Sequence, residues 1–117
     1  MINDKAQELG RLLGQSDDYQ ALKRARERVQ EASELTTKLE KLQEVTERIE
    51  RNAAQGTEPA EADLREYEKF LGEVEVDARY QSLVAAQSNF DKMMLRVNEQ
   101  ILEGLRKGSE SPIITLG

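Results

Sequence analysis

From Tyr19 onward the apolar positions recur at Tyr19, Leu22, Ala25, Val29, Ala32, Leu35, Leu39, Leu42, Val45 and Ile49, always three or four residues apart. That spacing holds all of them on one narrow stripe of an α-helix. No Gly or Pro intervenes before "AAQGTEP", so the pattern predicts a single helix from about residue 17 to 54, roughly 57 Å long. "QEASEL" offers a bend near Ser33. Upstream, Leu9, Leu12 and Leu13 make a short stripe that Gly14 ends, and Gly10 provides a bare spot where a neighbouring helix could approach closely. Ser16 and Asp17 are both good N-caps, and Asp17 with Gln20 makes a variant of the capping box. The chain therefore opens with a helix stop followed by a helix start.

Beyond the long stripe, Gly56 suits the residue past a helix end, Thr57 an N-cap and Pro59 the first turn of the next helix. A reversal here produces an antiparallel hairpin. Leu64, Tyr67, Phe70 or Leu71, and Val74 continue at helical spacing until "GEVEVDARY", where β-branched residues and Asp77 predict a break and a new cap. The last helix carries Tyr80, Leu83, Ala86, Phe90, Met94, Val97, Ile101 and Leu105, and is expected to stop at "KGSESP", where Gly108 and Pro112 oppose continuation. The predicted fold is all-α: an antiparallel helical bundle with a long central hairpin and a short N-terminal helix. It forms one domain, 1–108, followed by a flexible tail, 109–117. That tail, "SESPIITLG", reads as a disordered end, with Ile113, Ile114 and Thr115 as the alternative of a strand added to a partner's sheet.

Composition changes the picture mainly by exclusion. The 117 residues suffice for one domain, and three Tyr, two Phe and no Trp leave a thin, mostly aliphatic core. The absence of Cys and His removes disulfides, thiolate nucleophiles, imidazole bases and the usual zinc and haem ligands. A Glu-rich bundle can hold two irons, but such sites use Glu-x-x-His pairs that cannot exist here. We expect no enzyme activity and no cofactor. Net charge −6 argues against a dedicated nucleic-acid binder. The charged, amphipathic start and the lack of a long apolar run predict neither a signal sequence nor a membrane span, hence a cytoplasmic protein. Glu34 with Lys38, Glu44 with Arg48 and Glu47 with Arg51 stand at i,i+4 and are expected to pair along the outer face of the long helix.

The candidate functional residues lie on this seam or beside it. As a monomer such a hairpin would leave a long aliphatic seam in water, so Leu35, Leu39, Leu42, Ile49, Phe90, Met94, Val97 and Ile101 are expected to form the core or a homo-oligomer contact. Lys23, Arg24, Arg26 and Arg28 form a basic knot that could engage a partner. Helical spacing spreads them around the circumference, which favours a solvated face over a phosphate-binding stripe. Met93 is the more exposed of a Met pair that could form an adaptable binding patch, the alternative being core packing. Asn98 sits beside the seam, either buried as a register-setting polar residue or exposed.

Two blocks of this pattern resemble the YlbF/YmcA family of small bacterial helical proteins. The first is Leu9-Gly10, Ser16, Tyr19, and Lys23 with Ala25; the second is Tyr80, Phe90, Val97, Asn98 and Ile101 in the final helix. The resemblance spans roughly residues 4 to 106. It implies an antiparallel helical protein, dimeric or larger or assembled with paralogous members. It also implies an accessory factor of the endoribonuclease RNase Y, in the setting of competence, sporulation and biofilm regulation, with no catalytic residues. Some relatives use Cys residues for an iron–sulfur cluster; this chain has none, so that cofactor does not carry over. The reading from a different functional class is a structural or prefoldin-like coiled-coil scaffold without any link to RNA.

Overall fold

The computed structural model describes the backbone of residues 1–116 and the side chains of residues 1–110. Five helices follow one another: α1 (Ile2–Gly14), α2 (Asp17–Glu31), α3 (Ser33–Ala54), α4 (Glu61–Glu75) and α5 (Ala78–Leu116). No strand occurs among the described residues. The chain runs out along α2 and α3, turns at residues 55–60, and returns along α4 and α5. Accordingly α3 packs on α4 and α2 on the first half of α5. The result is an elongated molecule of 70 × 37 × 20 Å.

The expected single helix from 17 to 54 is in fact two. Ala32 leaves helical geometry (φ −89°, ψ 86°) and separates α2 from α3. The cause lies one turn on: the Thr36 hydroxyl donates to the carbonyls of Val29 and Ala32, both at 3.1 Å. It thereby satisfies a backbone acceptor that an unbroken helix would have used itself. The returning arm breaks at the same level, at Val76 and Asp77. Asp77 caps α5 as its sequence suggests, accepting from the Arg79 backbone N–H at 2.8 Å.

Between the two breaks sits the best-packed part of the molecule, where Val29, Ala32, Leu35 and Val74 form one buried cluster joined by Leu39, Tyr80 and Leu83. A second cluster joins Leu22 and Ala25 of α2 to Ala86 of α5, with Leu83 and Phe90 against it. Tyr19 and Phe90 meet there with ring centroids 5.7 Å apart.

Several local expectations change. Ser16, not Asp17, caps α2: its hydroxyl accepts from the Tyr19 N–H at 3.2 Å. Gln20 does not close a capping box but donates to the Gly14 carbonyl at 2.7 Å, tying the end of α1 to the start of α2. Gly56 takes the left-handed conformation required past a helix end (φ 74°). The next helix nevertheless starts at Glu61 with Ala60 as its cap residue, so Thr57 and Pro59 belong to the turn.

Gly10 receives no close neighbour, since a Cβ there would meet nothing within 4 Å. The expected ladder of i,i+4 pairs on α3 is replaced by bridges to the other arm. Lys38 meets Glu73 at 3.9 Å, Arg48 meets Asp63 at 3.2 Å and Glu66 at 3.0 Å, and Glu34 pairs with Arg79 at 3.2 Å. These residues flank the α3–α4 contact instead of pointing away from it, and crossing the groove brings them opposite charges. Finally, α5 runs past Gly108 to Leu116. Most of the tail expected at 109–117 lies outside the residues whose side chains are described.

Candidate interaction surface on α1 and α5

The predicted seam divides between covered and open stretches. Leu35 is 1% exposed and Val45 is fully buried. Leu39, Leu42 and Ile49 are half-buried on α3, which has α4 along its length. This part of the seam is covered by the chain's own returning arm. Phe90, Met94 and Val97 on α5 are half-buried, whereas Ile101 is 52% exposed.

The reason is a mismatch in length. At 1.5 Å per residue α5 is about 58 Å long and α2 only about 22 Å. With Leu22 against Ala86 and Tyr19 against Phe90, α2 is used up near the middle of α5. Past that point only α1 stands beside the helix, and Leu9 shares an open groove of about 450 Å³ with Met93, Arg96, Val97, Gln100 and Ile101. Although α1 is amphipathic, with Leu9, Leu12 and Leu13 along it, none of its residues is buried. Leu12 remains 55% exposed.

Sequence reasoning missed a second apolar line on α5. Val84, Leu95 and Leu102 project to the side opposite Ala86 and Phe90 and are 51%, 61% and 62% exposed. Their separations of eleven and seven residues place them on one face of a helix, a signal hidden by the stronger inner stripe. Part of this line borders a second groove, about 640 Å³, between α2 and α5, where Arg26, Tyr80, Val84, Gln87, Asp91 and Leu95 meet.

The basic knot is not brought together. Lys23, Arg24, Arg26 and Arg28 are all exposed. Arg26 leans over the second groove, donating to Gln87 at 3.2 Å. Arg24 and Arg28 line the opposite side of the α2–α5 contact, beside Ser82 and Ala86. Met93 is half-buried in the α1–α5 groove, and Asn98 is exposed.

The one marked electrostatic perturbation is structural in setting. Arg79 makes a two-pronged contact with Asp77, at 3.1 and 2.7 Å, and also donates to Glu34 at 3.2 Å. The guanidinium holds the Asp77 carboxyl down to about 2, and the two carboxylates raise Arg79 above its ordinary value. The group sits at the break between α4 and α5 and locks its geometry against α3. Among the described residues no group of three or more Asp or Glu is placed to hold a metal ion. No helix among them is long and apolar enough to cross a membrane.

The fold and this surface define an all-helical protein with an open apolar face on its last helix. The chain belongs to the YlbF/YmcA family: the family model described as "Control of competence regulator ComK, YlbF/YmcA" matches residues 2–106. That description is of a regulatory family. The chain is 28% identical over 104 residues to a UPF0342 protein of Staphylococcus saprophyticus, covering 89% of this chain and 91% of the relative. A UPF0342 protein of Staphylococcus epidermidis is 26% identical over the same length and coverage. No solved structure matches it.

Proposed function

We propose that this chain is a non-enzymatic regulatory factor that acts in the cytoplasm by docking onto other proteins, as an accessory factor that modulates RNA processing by RNase Y. The observation that carries the reading is the concentration of bare aliphatic side chains on one helix. Val84, Leu95, Ile101, Leu102 and Leu105 of α5 are each more than half exposed, between 51% and 68%. Scattered exposed leucines are ordinary, but a succession of them along one helix is the signature of a protein contact. Membership of a regulatory family supports the same reading. A prefoldin-like scaffold fits less well, because the tip of the hairpin, "QGTEPA", is polar where a client-holding arm would be apolar.

The basic knot serves in this reading as a charged rim for a protein partner. Net charge −6 and a dispersed set of cations give little purchase on phosphates. The test is a pair of titrations at several salt concentrations, one against single-stranded RNA and one against the cytoplasmic region of RNase Y. We expect the endoribonuclease to bind and RNA to bind negligibly. Reversing Lys23, Arg24, Arg26 and Arg28 to Glu should weaken the protein complex, most at low salt where exposed charges are least screened. Tight RNA binding with a steep salt slope abolished by the reversal would replace the accessory-factor reading with direct RNA recognition.

A further inference from the structure

We infer that the groove between α2 and α5 is a docking site for an acidic amphipathic helix of another protein, with its apolar face on Val84 and Leu95 and its carboxylates against Lys23 and Arg26. The inference rests on the reading of this chain as a protein-docking factor and names the partner's chemistry. It does not require that partner to be RNase Y.

The floor of the groove sets the spacing. Leu83 and Val84 form an apolar patch at one end and Leu95 another at the other end, with Ser88 between them. Val84 and Leu95 stand eleven residues apart on α5, about 16 Å along the helix. A partner helix that reaches both therefore needs apolar side chains over three turns, at i, i+4, i+7 and i+11. Ser88 is the smallest lining residue and leaves room for a bulky partner residue in the middle turns. Val84 and Leu95 are already 51% and 61% exposed, so a helix can enter without moving the chain. Leu102, two turns further on, extends the same line to about 27 Å, the length of about 18 helical residues.

The rim decides the chemistry. Arg26 borders the groove from α2, and Lys23 stands one turn before it on the same side of that helix. Lys92 lines the groove from α5. Among the described residues none of these three cations is in an ion pair. Glu27 is exposed on the side of α2 that faces away from α5. Asp91 is the one carboxylate lining the groove, and the Gln87 amide donates to it at 3.0 Å. Three cations against one carboxylate reverse the sign of a chain whose net charge is −6. Arg24 and Arg28 border the other side of the α2–α5 contact, so Lys23 and Arg26 supply the selective rim on α2. An apolar floor beneath a cationic rim fits an acidic amphipathic helix. A nucleic acid would need cations and stacking rings along the floor, where Leu83, Val84 and Leu95 lie and Tyr80 is the one ring.

This face is separate from the stripe through Ile101. Adjacent residues on a helix point about 100° apart, which is the angle between Leu102 on the outer line and Ile101 on the inner stripe. The two faces can be occupied at once.

Fluorescence anisotropy with the full chain and two synthetic helical peptides of about 18 residues tests this. Both peptides carry Leu at i, i+4, i+7 and i+11; one has Glu along its flanks and the other Lys. We expect saturable binding of the Glu peptide and roughly tenfold weaker binding of the Lys peptide at low salt. Lys23→Glu with Arg26→Glu should invert that preference. Arg51→Glu with Arg65→Glu, an equal change in net charge on exposed residues of α3 and α4, should keep it. Val84→Glu and Leu95→Glu should each abolish binding while leaving the helical circular dichroism intact, since both side chains are exposed within the chain. Equal affinity for the two peptides, a preference that Lys23→Glu with Arg26→Glu does not move, or binding that survives Val84→Glu and Leu95→Glu would each overturn the inference. So would displacement of the peptide by single-stranded RNA, or sedimentation in which Val84→Glu and Leu95→Glu lower the particle mass, which would give the groove to a second copy. Glu-peptide binding by a chain that does not bind RNase Y would support the groove and end the RNase Y reading.

Discussion

The middle of the hairpin and the end that carries α1 and the second half of α5 share the same three-and-four hydrophobic spacing, yet they differ in what covers it. At the middle, Leu35 and Val74 are 1% and 0% exposed, because both arms break at the same level and close on each other. At the far end, Ile101 and Leu105 keep half or more of their surface, because α2 is too short to follow α5. Periodicity in a sequence marks a face that avoids water. Which segment covers that face depends on where helices stop, and a few capping and hydroxyl groups decide that.

The contrast is most sharply tested by core truncation. Leu35→Ala removes a side chain enclosed by both arms and should cost about 2–5 kcal/mol, seen as a large fall in thermal midpoint by circular dichroism. Ile101→Ala, deleting a similar side chain at the open end, should cost far less in a dilute solution of single chains. Equal losses would mean that the two regions are packed alike.

The turn comes next in size. Gly56 holds a φ of 74°, so Gly56→Ala should destabilise by about 1 kcal/mol even though a Cβ there touches nothing. An unchanged midpoint would show that the loop relaxes out of that conformation.

Acid stability separates the regions in another way. Asp77 has a folded value of about 2 against 3.8 when free, so its ion pair with Arg79 is fully stabilising above about pH 4. That contribution is lost as pH falls from there toward 2, since the free carboxyl binds protons first and draws the chain toward unfolding. Asp77→Asn should flatten the acid limb of the stability profile over that window and lower stability at neutral pH. An unaltered acid limb would remove Asp77 and Arg79 from the lock between the arms.

The smallest effect is expected on α1. Gly10 has nothing near it, so Gly10→Ala should raise stability by up to about 1 kcal/mol through helix propensity alone. A decrease would reveal a neighbour on that face.

Much of this architecture was legible in the residues. The stripe from Tyr19 to Ile49, the reversal at Gly56 and the new cap at Asp77 follow from spacing and caps, and they fix an all-helical hairpin. The break at Ala32 was legible only as a bend near Ser33, not as the end of a helix, because "EASELTT" has no Gly or Pro. It depends on the Thr36 hydroxyl taking backbone acceptors, which the helix propensity of the surrounding residues conceals. The continuation of α5 through Gly108 shows the opposite error, a residue taken as a stop where it is only a weak link in a long helix. The open face was half visible: its residues stood in the seam, but whether a seam residue is core or contact depends on the reach of α2. Val84, Leu95 and Leu102 were overlooked because the inner stripe on the same helix dominates the pattern.

Hydrogen–deuterium exchange followed against protein concentration measures this difference directly. The amides of α3 and α4 around Leu35 and Val74 should be strongly protected at every concentration. Those from Met94 to Gly108 should exchange quickly when the protein is dilute and slow progressively as it is concentrated. Protection from Met94 to Gly108 that does not change with concentration would contradict the claim that this face is completed by another protein molecule.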